Sequence, residues 1–300
     1  MHESEPAKRA FGAVIPSGLT PFIPILVIGG FLAPEIISSA WSGNEIFYYG
    51  VADRWVNPAE YTEMHAIKDG SIARIVSFLL IGSATHTLGF EASKMMLSCV
   101  LLLAYVFVFW RLARALGLGL LGAICSLGLY LLAKQALLSG SYVFGGVEPK
   151  TLAYCCVLLG LAFGLEHRVY RATLCMVAAT YFHFLIGAFW GGAIILLFLL
   201  QKQSWTRVWH TASLFAVMCL PLALAIARER LAGSGVDTSG LDMSLNHIYA
   251  EFRVPHHVAP FLEPREFLQS WLPGLLAHSV IGFSILIWVQ VRQNERIDTR

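Results

Sequence analysis

Residues 71–90 read SIARIVSFLLIGSATHTLGF, and whether this stretch crosses a bilayer decides the arrangement of everything after it. It is apolar, yet it carries Arg74 near its start and Thr85, His86 and Thr87 shortly before Glu91. If it crosses, Arg111 and Arg114 emerge outside and every later loop inverts. If it lies in the outer interface, Lys8, Arg9, Arg111, Arg114, Arg168, Arg171, Lys202, Arg207, Arg292, Arg296 and Arg300 share the inner side with Glu3, Glu5, Glu166, Glu295 and Asp298. Eleven bases against five acids leave that side at +6, and the rest of a chain of net charge +2 at −4. Short cytoplasmic loops carry the excess of Lys and Arg. The reading is therefore an interfacial segment at 71–90, with both termini cytoplasmic.

Around this stretch the chain is 57% hydrophobic and 13% charged, with mean hydropathy +0.65. Soluble domains carry about 25% charged residues, so the expected fold is all-α, a polytopic transmembrane bundle. A span needs about 20 apolar residues, and eight runs qualify, roughly 13–33, 92–114, 117–138, 149–166, 169–184, 186–201, 207–227 and 272–291. They make one membrane domain over 1–300, with long external loops at about 34–91 and 228–271. Lys8 and Arg9 precede the first run, and Ser38-Ser39-Ala40 resembles a signal-peptidase site. The run is long for a signal and holds Pro16, Pro21 and Pro24, so it reads as a kinked span. The fifth and sixth runs meet at His183-Phe184-Leu185 and form either a tight hairpin or one broken helix. The six cysteines all lie in apolar stretches without C-x-x-C spacing, as small fillers rather than metal ligands. The small net charge speaks against a nucleic-acid partner.

Polar residues in such a chain are costly and mark sites. Glu45 and Asp53 lie eight residues apart in the first external loop, on nearly one helix face. A carboxylate there serves as general base or cation contact. The plainer reading is an ordinary acid on an interfacial helix with Tyr48, Tyr49 and Trp55 as an aromatic belt. In Gly145-Gly146-Val147-Glu148-Pro149-Lys150, the glycines permit a sharp turn, Pro149 suits a helix start, and Glu148 suits its positive end. Lys150 opposes that dipole, so it is expected to pair with Glu148 or to meet an anion. His183 sits at the outer end of the fifth run. Arg253-Val254-Pro255-His256-His257 is a stiff basic loop suited to a phosphate, with Arg253 as donor. Adjacent histidines point opposite ways on extended chain, so no metal set is assigned.

An early external acid followed by interfacial helices and a later basic external loop resembles the C-type (GT-C fold) integral-membrane glycosyltransferases, which use polyprenyl-phosphate sugars. The G-G-V-E-P-K, H-F-L-I-G and R-V-P-H-H elements are similar to those of related, poorly characterised bacterial polytopic proteins. The resemblance implies Glu45, with Asp53 second, as the catalytic acid, in a place where the family usually has Asp. It implies Arg74, Glu148, Lys150, His183, Arg253, His256 and His257 as the residues about the lipid-linked phosphate. The one cofactor it admits is a divalent cation. The implied partners are the lipid bilayer and a polyprenyl-phosphate-linked sugar, in the cell envelope at a bacterial inner membrane. Family members are longer, so the chain is expected to be a truncated or N-terminal part of a longer product. A lipid or small-anion transporter or flippase, and a membrane assembly subunit, are the competing readings. The first would place polar groups at mid-span and the second would scatter them.

Overall fold

The computed structural model describes residues 22–38, 40–61, 71–132, 142–231, 267–272, 275, 276 and 279. Arg253, His256, His257 and most of the second long loop lie outside the described residues, as do Lys8, Arg9 and most of the last expected span. The chain forms two compact units, Met1–Gly128 with Phe144–Ala232, and Leu129–Val143 with Gly233–Arg300. Described parts of the second unit include the end of one helix and a π-helical turn at Phe267–Trp271. The first unit holds most of the described helices.

All regular structure among the described residues is helical: α1 (Ile23–Ile36), α2 (Gly43–Val56), α3 (Ile75–Leu88), α4 (Phe90–Ala115), α5 (Leu120–Leu132), α6 (Pro149–Leu165), α7 (Val169–Phe182), α8 (Phe184–Leu200) and α9 (Trp205–Leu231). The helical-bundle expectation therefore holds, whereas the count of eight spans does not follow from helix length. Only α4 and α9 among the described helices are long and apolar enough to cross a membrane. Helices α1, α5, α6 and α8 and the segment 72–88 are apolar but shorter. Local signals cut the apolar runs: Pro149 opens α6, His183 separates α7 from α8, and Gly89, at φ 78°, separates α3 from α4. At 1.5 Å per residue, α3 is about 21 Å long. It folds back on α4, with Thr85 Oγ1 3.4 Å from Ser93 Oγ.

One end of this unit is basic. There α4, α6 and α8 finish in the same way. The amides of Leu118, Arg168 and Gln203 reach back to the carbonyls of Ala113, Phe163 and Phe198 at 2.9, 2.9 and 3.1 Å. These are Schellman ends, with the preceding residue left-handed. That residue is Gly117 in the first case but His167 (φ 59°) and Lys202 (φ 53°) in the others. A side chain in that conformation costs about 1 kcal/mol where glycine costs nothing. Arg111 meets Glu166 at 2.7 Å, Arg168 meets the same carboxylate at 3.2 Å, and Gln203 Nε2 lies 3.0 Å from His167 Nδ1. The ends of α4, α6 and α8 and the starts of α7 and α9 are thereby gathered together.

Helices α7 and α8 form the tight hairpin rather than one broken helix. His183 alone (φ −154°, ψ 103°) lies between them. The fold-back needs Gly187, whose Cβ would overlap the Thr180 backbone. Along this hairpin Ala172, Met176 and Ala179 pack with Ile194 and Phe198, against Ala153 and Val157 of α6. Polar side chains in the interior answer their own helices: Thr173, Thr180 and Thr211 donate to the carbonyls of Val169, Met176 and Arg207. Large apolar side chains instead face outward, among them Val100, Leu103, Phe107, Leu196, Leu200, Val217 and Leu224. Self-satisfied polar residues inside and large apolar side chains outside are compatible with helices packed in lipid. Gly187→Ala should lower the unfolding midpoint in detergent by the equivalent of about 3 kcal/mol through overpacking. Gly192→Ala, whose Cβ would meet nothing within 4 Å, should leave the midpoint unchanged or raise it.

Candidate functional site

The first loop is folded onto the bundle by a charged pair. Ser42 and Glu45 form a capping box at the start of α2: Glu45 N donates to Ser42 Oγ (3.1 Å) and Ser42 N donates to Glu45 Oε2 (3.0 Å). The same Oε2 lies 3.4 Å from Lys94 Nζ on α4. Lys94 also donates to Ala40 O at 2.6 Å and stands over the Trp41 ring at 4.5 Å. Trp41 Nε1 in turn donates to Glu91 Oε1 at 2.7 Å. Glu45 is 3% and Lys94 4% exposed, so neither charge is left to water. The other carboxylate oxygen, Oε1, lies against Gly146, where a Cβ would overlap it. That contact explains a glycine in the 145–146 turn: it lets the backbone close on a carboxylate.

Beside this pair, Tyr49 is wholly buried and meets Trp41 edge to face at 5.0 Å. It is not part of a surface belt. Burial, and then the charge of Glu45, push its phenol well above the ordinary value. Its hydroxyl has no hydrogen-bond partner in the protein. Asp53 is buried about 12 Å further along α2. At that level Ala52 and Val56 press on Gly82 of α3.

A second cluster forms where α3 and α6 begin and α7 ends. Glu148 caps α6 and Pro149 opens it, as the sequence suggests. Lys150 Nζ lies 3.6 Å from Glu148 Oε2, the pairing expected for a cation in that first turn. Thr151 Oγ1 accepts from Glu148 N (3.1 Å) and donates to Gly146 O (2.8 Å). Tyr105 of α4 donates to Thr151 O at 2.6 Å, and Phe144 packs edge-on against Tyr105 at 5.0 Å. Arg74 caps α3 with its guanidinium 5.1 Å from the Tyr48 ring centre. Ser77, three residues on, donates to Phe182 O at 2.9 Å, which sets the start of α3 beside the break at His183. His183 keeps a buried Nδ1 with no partner in the protein.

The two clusters are joined by the 144–148 turn. Gly146 touches Glu45 and is four residues from Lys150, so the Cα atoms of Gly146 and Lys150 are at most about 14 Å apart. Arg74, Glu148, Lys150 and His183 thus come together, with Glu45 above them across the turn and Asp53 apart. Among the described residues no three His, Cys, Asp or Glu side chains group as metal ligands. Sequence reasoning missed Lys94, which sits inside the apolar run 92–114. It also missed Tyr105 and Thr151. One signal was readable: Ser42-Gly43-Asn44-Glu45 has the S-x-x-E spacing of a capping box. Comparison of the chain with protein-family models, curated proteins and solved structures found no match.

Lys94→Met strips Glu45 of its buried partner and should cost about 3 kcal/mol or more of stability. The double variant Glu45→Gln/Lys94→Met should recover part of that loss, because no charge is then buried alone. A double-mutant cycle on unfolding midpoints in detergent measures the coupling.

Proposed function

We propose that the protein is an integral membrane glycosyltransferase-like enzyme that moves a sugar from a polyprenyl-phosphate donor on the outer face of a bacterial inner membrane. In this reading the bundle has about eight spans with both termini cytoplasmic, and the 71–88 segment lies along the outer interface between the end of α7 and the start of α4. The observation that carries it is that the starts of α3 and α6 and the end of α7 bring Arg74, Lys150 and His183 to the end of the bundle opposite the basic one, where His183 Nδ1 is buried without a partner in the protein. An anion entering from the lipid would meet Arg74 and Lys150 and give His183 Nδ1 a partner.

The chemistry builds on the two clusters. Arg74 and Lys150 hold the donor phosphate. Glu45, fixed through Oε2 and with Oε1 toward the 146 turn, takes the proton of an acceptor hydroxyl. The hydroxyl oxygen bonds to the anomeric carbon as the bond to the phosphate oxygen breaks. The lipid phosphate departs with the negative charge, stabilised by the same two cations. The Tyr49 hydroxyl, protonated at working pH, is available to orient the acceptor.

Transfer from a polyprenyl-phosphate sugar, assayed in nanodiscs, tests it. Glu45→Gln should lower kcat by about 10²–10⁴-fold with donor binding kept, and Arg74→Ala/Lys150→Ala should weaken donor binding. Tyr49→Phe should fold at least as stably, since it removes an unpartnered buried hydroxyl, yet lose turnover. Full activity in Glu45→Gln overturns its role as base. Saturable flux across vesicles without a transfer product would favour the transporter instead. For the topology, with the native cysteines replaced, a cysteine at Asn44 should label from outside and one at Ser204 only after permeabilisation.

A further inference from the structure

The basic end of the bundle has more charge than its own fold uses. Arg111, Arg114, Arg168, Arg171, Lys202 and Arg207 gather there around one acid, Glu166. Glu166 is taken up by Arg111 and Arg168, and no ion pair with a carboxylate forms at Arg114, Arg171, Lys202 or Arg207 among the described residues. The helix macrodipole accounts for Arg111, Arg114 and Lys202, which lie at helix C-termini. It works against Arg171 and Arg207, which lie in the first turns of α7 and α9, helices with no acid there. The Arg207 guanidinium donates to the neutral Gln203 Oε1 (2.9 Å). Lys202 and His167 also occupy left-handed positions that glycine, as at Gly117 in the matching end of α4, would take without strain. Beside Arg207, Trp205 and Trp209 are exposed and stacked edge to face at 5.8 Å, the pairing of amphipathic rings and cations found at headgroup depth.

We infer that this end of the bundle is a docking surface for anionic phospholipid headgroups of the membrane leaflet it faces. Arg114, Arg171, Lys202 and Arg207 take the phosphates, and Trp205 and Trp209 set the depth. Charge complementarity selects the occupant: the unanswered charge is cationic, ringed by exposed aromatic and apolar side chains, and a basic surface at a bilayer is attracted to acidic lipid by about fivefold per Lys or Arg. The inference rests on the proposed membrane setting but not on the transfer chemistry.

The test is lipid selection by the full chain, delipidated and offered equimolar phosphatidylglycerol and phosphatidylcholine, with retained lipids read by native mass spectrometry. The wild type should retain phosphatidylglycerol several-fold over phosphatidylcholine, and Arg171→Gln/Arg207→Gln should approach parity. Lys202→Gly separates folding from binding: relief of the left-handed strain should raise the unfolding midpoint while the phosphatidylglycerol preference falls. Equal retention of the two lipids by the wild type, or an undiminished preference in both variants, overturns the inference. So does inorganic phosphate abolishing the preference at low concentration, which would mean a free-anion site. Failure to enter vesicles of either lipid overturns the membrane setting as well, whereas a lost lipid preference with transfer activity intact leaves the proposed enzyme standing.

Discussion

The buried pairing of Lys94 with Glu45 is the contact on which the half of the first unit opposite its basic end is arranged. Through it the exit of α1, the start of α2 and the start of α4 are tied at one point. Gly146 then brings the 144–148 turn against the same carboxylate. Remove one partner and the other is left as a buried charge without its counter-charge, which is costly. The turn would also lose its stop, and with it the placement of Glu148 and Lys150 at the head of α6. The functional proposal thus depends on an ion pair that is structural in its immediate role.

The rest of the unit divides the labour. The helices α6 to α9 form a close-packed hairpin stack around Val157, Met176, Ile194 and Phe198, with alanines and threonines between them and many leucines on the outside. That stack supplies rigidity and two ends of different character. At one, basic side chains outnumber acids and occupy helix ends at a conformational cost. At the other, helix starts and breaks bring Lys150 and His183 to Arg74. Such breaks are tolerated where polar groups around them meet the backbone needs.

Parts of this were legible in the chain. The Gly-Gly-Val-Glu-Pro-Lys run announces a turn and a helix start, and the pairing of Lys150 with Glu148 follows from the dipole alone. The basic end was visible as an asymmetry of Arg and Lys along the chain. The break at His183 was visible too, but not its sense, because only the close approach of Gly187 to Thr180 makes it a hairpin. The number of spans was not settled by hydropathy, which sums over apolar runs and is blind to the caps that cut them into helices of 14 to 17 residues such as α7 and α8. Lys94 was hidden for a related reason: one cation in an apolar window barely changes its mean. Its partner lies 49 residues earlier and is found only by folding the loop.

The functional proposal stands or falls on an anionic lipid-linked phosphate sitting among Arg74, Lys150 and His183. An experimental structure of the chain in a nanodisc, with a polyprenyl-phosphate sugar bound, measures this without intermediaries. The phosphate should lie within hydrogen-bonding reach of the Arg74 guanidinium and Lys150 Nζ, with the sugar toward Glu45 across the Gly146 turn. Phosphate density on another face of the bundle, with Arg74 and Lys150 unchanged and remote from it, would contradict the proposal.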